Sequence, residues 1–328
     1  MIFIHGAGHF HPENVLDNAF FESLNIETNE QWILERVGIK TRRTVLDLDY
    51  IRQTHNKDRR LAEQNTKYSM AQTAVPAVEM ALSRAGITKD QVGMVIASSC
   101  SGEYLLPATA SLIGGALGLQ VPCVDVNTAC SSFASHMHFV DMMSEQSAPD
   151  YILLVQAENW TKTTDFSDRK TAVLIGDATA AAIVSKKHPA PMRVLQTHLA
   201  SDPVNWQKVQ TPNLGHFCQD GPAVQKFAIK KTMATFLHLQ EVVQEDLTQH
   251  YFISHQANLT MLRSVCQKLG IKDDKHLYNV DKFGNCAAAG APSVLSQNWQ
   301  TFQSGDQLTL VVVGAGLTWG GMLIKIEE

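Results

Sequence analysis

The chain has no Cys-x-x-Cys pair, no excess of positive charge and no long apolar run. Its six cysteines are scattered through 328 residues, which suits free thiols in a reducing compartment better than a disulfide framework. Lys and Arg number 27 against 32 Asp and Glu, a formal charge of −5, so no nucleic-acid surface is expected. No segment approaches the roughly 18 apolar residues of a membrane span. The start, Met1-Ile2-Phe3-Ile4-His5-Gly6-Ala7-Gly8, lacks the basic opening and longer apolar stretch of a secretory signal. The pairs His9/His11 and His136/His138 have i, i+2 spacing, a poor clamp on a helix, so no metal site is expected. These absences leave a soluble protein, expected in the cytoplasm. Its 45% hydrophobic and 18% charged content is that of a globular fold.

What is present is alternation. Strand-like apolar runs at Gly93–Ala97, Val121–Val126, Tyr151–Gln156, Ala180–Val184, Tyr251–Ser254 and Leu308–Val313 are separated by helical patterns. The helical patterns cover Tyr68–Ala85, Thr109–Leu119, Ser131–Ser144, Val224–Gln240, Leu259–Leu269 and Ala291–Phe302. This is an α/β pattern. It also repeats weakly at an offset of about 156 residues. Gly86–Gln91 before one strand resembles Val242–Leu247 before another, and Asp150 before Tyr151–Gln156 matches Asp306 before Leu308–Val313. The run ending at Cys130 matches the run ending at Asn285. Two similar halves are therefore expected, 1–185 and 186–328, with functional residues in equivalent turns.

Cys130 closes Val121–Cys130, an apolar strand-like run ending in small residues, and Ser131 onward reads as a helix. A thiol at a strand-to-helix junction faces unpaired backbone N–H groups and the positive end of the helix dipole, which favours the thiolate. A buried free cysteine acting as a small hydrophobe is the plain alternative for any one of the six. Further along, His255 follows a short apolar strand in Ser254-His255-Gln256-Ala257-Asn258, and Asn285 sits in the small-residue turn Gly284–Gly290. Gly314-Ala315-Gly316-Leu317-Thr318-Trp319-Gly320 reads as a flexible turn that lets backbone N–H groups approach a ligand. Each alone has a structural explanation. Together, a thiol, a histidine and an amide donor make a set for acyl transfer. Backbone N–H groups of Cys130 and of the Ala315–Gly316 turn supply a second oxyanion hole.

The motifs at 255–258, 284–292, 314–321 and 168–181, with Asn29–Ile39, resemble the β-ketoacyl-acyl-carrier-protein synthase III family of the thiolase superfamily. The resemblance runs nearly end to end. It implies a five-layered αβαβα sandwich of duplicated halves, usually a homodimer, with no tightly bound cofactor. It also implies that acyl-coenzyme A loads Cys130, and that a malonyl thioester, on coenzyme A or acyl carrier protein, is decarboxylated with help from His255 and Asn285. Trp32 matches the family's adenine-stacking position, Arg36 and Arg169 its basic contacts, and Asn258 a residue of the pantetheine channel. Leu106 matches a pocket-wall residue on a loop that reaches the partner's acyl pocket.

Several positions depart from that pattern. Ser131-Ser132-Phe133 follows the nucleophile where small residues and glycine are common, and Ala315 replaces the middle glycine of the last turn. Gln225 replaces an aromatic residue at the channel mouth, and Thr260 an arginine for carrier docking, with Arg263 one turn later. Leu48–Lys67 is extra. These changes suggest a specialised relative, of fatty-acid or polyketide pathways. Two alternatives stay open: an acyltransferase or non-decarboxylative condensing enzyme, and a non-catalytic partner subunit. In the former, Glu103 is a possible base, although a solvated or capping charge is the plainer reading.

Overall fold

The computed structural model of the chain describes all residues except 244, 245, 248 and 249. The sequence match at 242–247 lies partly outside these described residues. Nine strands form one sheet: β1 (Ile2–Phe10), β2 (Val92–Ser98), β3 (Cys123–Asp125), β4 (Tyr151–Glu158), β5 (Ala178–Ser185), β6 (Met192–Ser201), β7 (Tyr251–Ser254), β8 (Gln307–Gly314) and β9 (Thr318–Ile326). Their spatial order is β7-β8-β9-β6-β1-β5-β4-β2-β3.

The same arrangement is used twice. β2 runs parallel to β4, β4 antiparallel to β5 and β5 antiparallel to β1. In the second set β7 runs parallel to β8, β8 antiparallel to β9 and β9 antiparallel to β6. β3 lies parallel at the outer edge of β2, and its counterpart is a single parallel bridge between Phe252 and His276. The two sets join where Ile2–Ile4 pairs with Met192–Val194.

The strands β4 and β5 are buried along almost their whole length, as expected of apolar strands covered on both faces. Helix α1 (Met70–Ala85) covers the first set, opened by a capping box between Ser69 and Gln72 and closed by left-handed Gly86. Helices α2 (Ser132–Met142) and α3 (Gly290–Gln297) form the middle layer, where one apolar cluster joins Phe133, Met137, Val294 and Leu295 to strands of both sets. On the far side, α4 (Gly221–Val243) and α5 (Leu259–Leu269) pack on β7, β8 and β9 through Phe236, Leu239, Val265, Phe252, Val311 and Leu323. Among the described residues no helix is long and apolar enough to cross a membrane.

Three strands of this nine-stranded sheet go beyond the sequence reading: β1, β6 and β9. β1 and β9 carry glycines, which weaken the strand signal. In β1 the reason is steric. A Cβ at Gly8 would lie 1.9 Å from Ala77 O, and one at Gly6 2.2 Å from Ala81 O, so α1 packs directly on the β1 backbone. The Gly-rich run after β8 is likewise shorter than read from sequence: the turn ends at Leu317, and Thr318-Trp319-Gly320 already belongs to β9. The Gly8→Ala variant is expected to lose about 3 kcal/mol of stability through overpacking. A chemical denaturation midpoint equal to that of the unsubstituted protein would contradict this packing.

Candidate active site

The Cys130 turn is held by its own side chains. Asn127 Nδ2 donates to Ser99 O (2.7 Å) and Asn127 Oδ1 accepts from Ala129 N (2.9 Å). Ser132 Oγ donates to Ala129 O (2.7 Å) and accepts from Thr128 N (2.9 Å). Ala129 adopts φ +51°, and a single helical turn, Ala129–Ser131, leads into α2. Ala287 shows the same device, φ +46° followed by one turn and α3. This corrects the sequence match: the backbone counterpart of Cys130 is Ala288, and Asn285 stands three residues earlier.

Cys130, His255 and Asn285 line one cavity of about 360 Å³, together with Trp32, Arg36, Gln225, Asn258, Gly314 and Ala315. His255 begins just beyond β7, its N–H donating to Val311 O (2.9 Å). The next residue, Gln256, is buried and ties the loop down, accepting from Asn279 N (3.1 Å) and donating to Ser254 O (2.7 Å). Asn285 N donates to Leu174 O (2.7 Å), and its Oδ1 accepts from Ala287 N (3.0 Å). With the oxygen so engaged, the Asn285 Nδ2 hydrogens are left as donors. The Cys130 thiol is held well below the usual thiol range by a hydrogen bond from Cys100, with attraction and a hydrogen bond from His255 adding to it; burial acts the other way.

The Gly314 turn presses on the nucleophile turn. A Cβ at Gly314 would lie 2.7 Å from Ser131 N and 3.0 Å from Cys130 N. Ala315 faces the cavity, whereas Gly316, with φ +128°, is exposed and does not line it.

At the outer end, Asn29 caps the helix Glu30–Val37 and sets Trp32, over whose ring stand the guanidinium carbons of Arg36 (4.9 Å) and Arg169 (5.2 Å). Arg169 is not itself a lining residue; it also hydrogen-bonds to Glu27 O. Asn258 has a structural task as well, capping α5 through Met261 N (2.7 Å). Thr260 and Arg263 are both exposed on α5.

Glu103 and Leu106 do not reach this cavity within the chain. Glu103 accepts from Met70 N at the start of α1 and lies 3.6 Å from the buried Lys162, which also pairs with Glu63 (2.9 Å). That is a capping and ion-pairing position. Leu106 is 85% exposed, beside exposed Tyr104 and Leu105. The segment Leu48–Lys67 braces the cavity wall from behind. Asn56 Nδ2 donates to Lys162 O and Thr164 O, and Arg59 Nη1 to Gly215 O (2.9 Å). Phe217 N in turn bonds Thr163 O (2.9 Å), setting Phe217 edge-on to Trp160 at 4.8 Å.

Sequence reasoning missed Trp160, Phe217, Val209 and Lys170 in the lining. Trp160 carried a signal, since it follows the carboxyl end of a buried strand, where α/β sites gather. Glu158 carried another, as a carboxylate ending the buried strand β4. The paired histidines have ordinary partners: His136 meets Val126 O (2.8 Å) and Gln156 Nε2 (2.9 Å), and His9 meets Ser296 Oγ (2.7 Å).

The family model for 3-oxoacyl-[acyl-carrier-protein] synthase III matches residues 124–203, and the model for the C-terminal part of that family matches 237–326. The chain is 32% identical to beta-ketoacyl-[acyl-carrier-protein] synthase III of Staphylococcus haemolyticus, with 98% of each chain covered. It is 29% identical to the protein of the same name from Aliarcobacter butzleri, over 97% of this chain and 96% of that one. Among solved structures, 3-oxoacyl-[acyl-carrier-protein] synthase III from Aquifex aeolicus superposes with a TM-score of 0.88 at 25% identity, covering 99% of this chain and 100% of that one. The Thermus thermophilus synthase III gives 0.86 at 27%, covering 98% of each. The architecture is the thiolase fold.

The Gly314→Ala variant is expected to remain folded but to slow iodoacetamide labelling of Cys130 on the order of tenfold, the equivalent of about 1.4 kcal/mol of distortion at the turn. Unchanged labelling would mean that the two turns do not depend on each other.

Proposed function

The chain belongs to the 3-oxoacyl-[acyl-carrier-protein] synthase III family of condensing acyltransferases, and on that premise we propose that Cys130 carries the acyl group through the condensation. The Cys130 thiolate attacks the thioester carbonyl of acyl-coenzyme A, coenzyme A leaves as the thiol, and an acyl-cysteine remains. A malonyl thioester, on coenzyme A or acyl carrier protein, then enters and loses carbon dioxide. The electron pair released goes to the thioester enolate, whose oxygen receives hydrogen bonds from Asn285 Nδ2 and His255. The enolate carbon attacks the acyl-cysteine. The tetrahedral oxyanion sits against the backbone N–H groups of Cys130 and Ala315, which face the cavity, and collapse returns the thiolate.

The observation that carries this reading is the convergence of Cys130, His255 and Asn285 on one cavity, with the Asn285 oxygen tied back to Ala287 N. Trp32, with Arg36 and Arg169, is where an adenine and its phosphates would stack and pair. Asn258 and Gln225 flank the path for the pantetheine arm. Coenzyme A is a substrate here, and the steps use no resident cofactor. The position of Glu103, engaged by Met70 N and beside Lys162, favours the decarboxylative course over one with a carboxylate base.

We further propose two equivalent halves, 1–185 and 186–328, and a homodimer in which a second copy covers the exposed Tyr104–Leu106 tip, bringing Leu106 to the partner's cavity. Six free cysteines fit the cytoplasm.

Intact-mass measurement with a panel of acyl-coenzyme A thioesters is expected to show one acyl adduct, on Cys130, absent from Cys130→Ala. Asn285→Ala is expected to lower carbon dioxide release from malonyl thioesters about 10²–10³-fold, the cost of one lost oxyanion donor. An adduct on another residue, or undiminished release, would overturn the reading.

A further inference from the structure

Two aromatic side chains of the cavity wall, Trp160 and Phe217, have no task in the steps above. Both are buried, Trp160 to 2% exposure and Phe217 to 9%, whereas Trp32 is half-buried and Gln225 exposed at the outer end. Their rings meet edge to face, with centroids 4.8 Å apart and planes at 70°. With buried Ile175 and Ala287 they form one apolar cluster, and Cys130 packs against it. The wall beside the nucleophile is therefore aromatic and close-packed, while Arg36, Lys170 and Gln225 line the cavity elsewhere.

Both rings are held from the backbone. Trp160 opens a single helical turn, Trp160–Thr163, just beyond β4. Thr161 N donates to the buried Asp177 Oδ1 (2.7 Å), and Thr163 Oγ1 donates to Trp160 O (2.9 Å). Asn56 Nδ2 grips the same turn at Lys162 O (3.0 Å) and Thr164 O (2.9 Å). The bond from Phe217 N to Thr163 O ties the second ring to the turn that carries the first. Phe217 leads into Cys218–Gln219, which pairs antiparallel with Val209–Gln210, and Val209 also lines the cavity. Trp160 Nε1 has no hydrogen-bond partner among the described residues, so this ring is placed by packing and by its backbone. A ring pair fixed at both backbones resists displacement by a longer guest.

The cavity of about 360 Å³ has to take the pantetheine arm between Trp32 and Cys130, which leaves the acyl group the space between Cys130 and the two rings. We propose that the Trp160–Phe217 pair is the stop for the acyl chain: it determines specificity by admitting short acyl groups to Cys130 and excluding long straight ones. Each methylene beyond the space available costs on the order of tenfold or more in rate. The proposal rests on Cys130 carrying the acyl group and names the substrate class of that step.

The test uses alkyl methanethiosulfonates, which need no acyl donor. The Cys130 thiolate attacks the alkyl-bearing sulfur, a disulfide forms and methanesulfinate leaves. Labelling of the Cys130 peptide by the methyl and octyl reagents is timed on the full chain, and the octyl-to-methyl rate ratio is compared with that of free cysteine. In the unsubstituted protein the ratio is expected to lie about a hundredfold below the free thiol's. Trp160→Leu removes one ring without breaking a side-chain hydrogen bond and is expected to raise the ratio about tenfold or more. Phe217→Leu opens the same wall from the other ring, should raise it likewise and covers the case in which the first variant does not fold. The proposal is overturned if the unsubstituted protein shows the ratio of the free thiol, or if the ratio stays unmoved in either variant once folded. Acyl-coenzyme A loading then separates the two readings. Octanoyl groups loaded as fast as acetyl groups would overturn the stop and leave Cys130 as the carrier. If no acyl-coenzyme A loads Cys130 while the alkyl reagents behave as stated, the carrier reading falls and the size limit at Cys130 stands.

Discussion

The close approach of the Gly314 turn to the Cys130 turn is the constraint on which the site depends. One comes from the end of β8, the other leads from β3 into α2, and no side chain fits between them. The contact is available because the same strand order is used twice and the two sets are joined through β1 and β6. Equivalent strand ends then open onto a common cavity, and α2 and α3, each preceded by an alanine at positive φ, are buried between them. Residues far apart in the chain are brought together by backbone packing before any side-chain chemistry operates.

The electrostatics follow from that placement. A thiol buried without donors would be pushed up in pKa. Cys130 moves the other way through its hydrogen bond with Cys100 and the attraction and hydrogen bond of His255, while the Glu158 carboxyl is driven towards its uncharged form by burial. Asn285 contributes by being half-satisfied: its oxygen is occupied by Ala287 N, and its amide hydrogens have no protein partner among the described residues. Lys162 shows the contrasting solution, a buried cation held by Glu63 and Glu103 that fixes loops rather than doing chemistry.

Much of this was legible in the sequence. β-branched, apolar runs such as Tyr151–Gln156 and Leu308–Val313 declared themselves as strands, Cys130 and His255 stood after strand-like runs, and Asn285 stood in a small-residue turn. β1 and β9 were hidden by glycines that exist for close packing, and β6 by polar residues such as Arg193, Gln196, Thr197 and His198. The repeat was visible, yet local matching paired Cys130 with Asn285, whereas the backbone pairs it with Ala288. The Cys100–Glu158 contact joins residues 58 apart and exists only because β2 and β4 are neighbours. Glu103 reads from sequence as a solvated or capping charge, and its partners, Met70 N and Lys162, are brought to it only by folding.

The central claim is that one sulfur carries the acyl group between two substrates. The most direct measurement quenches the protein within its first turnover with acyl-coenzyme A, maps the adduct, and then follows its discharge on addition of a malonyl thioester. The account predicts an acyl thioester on the peptide holding Cys130, lost in step with an equal amount of carbon dioxide. An adduct on any other residue, or one on Cys130 that persists while carbon dioxide is released, would contradict it.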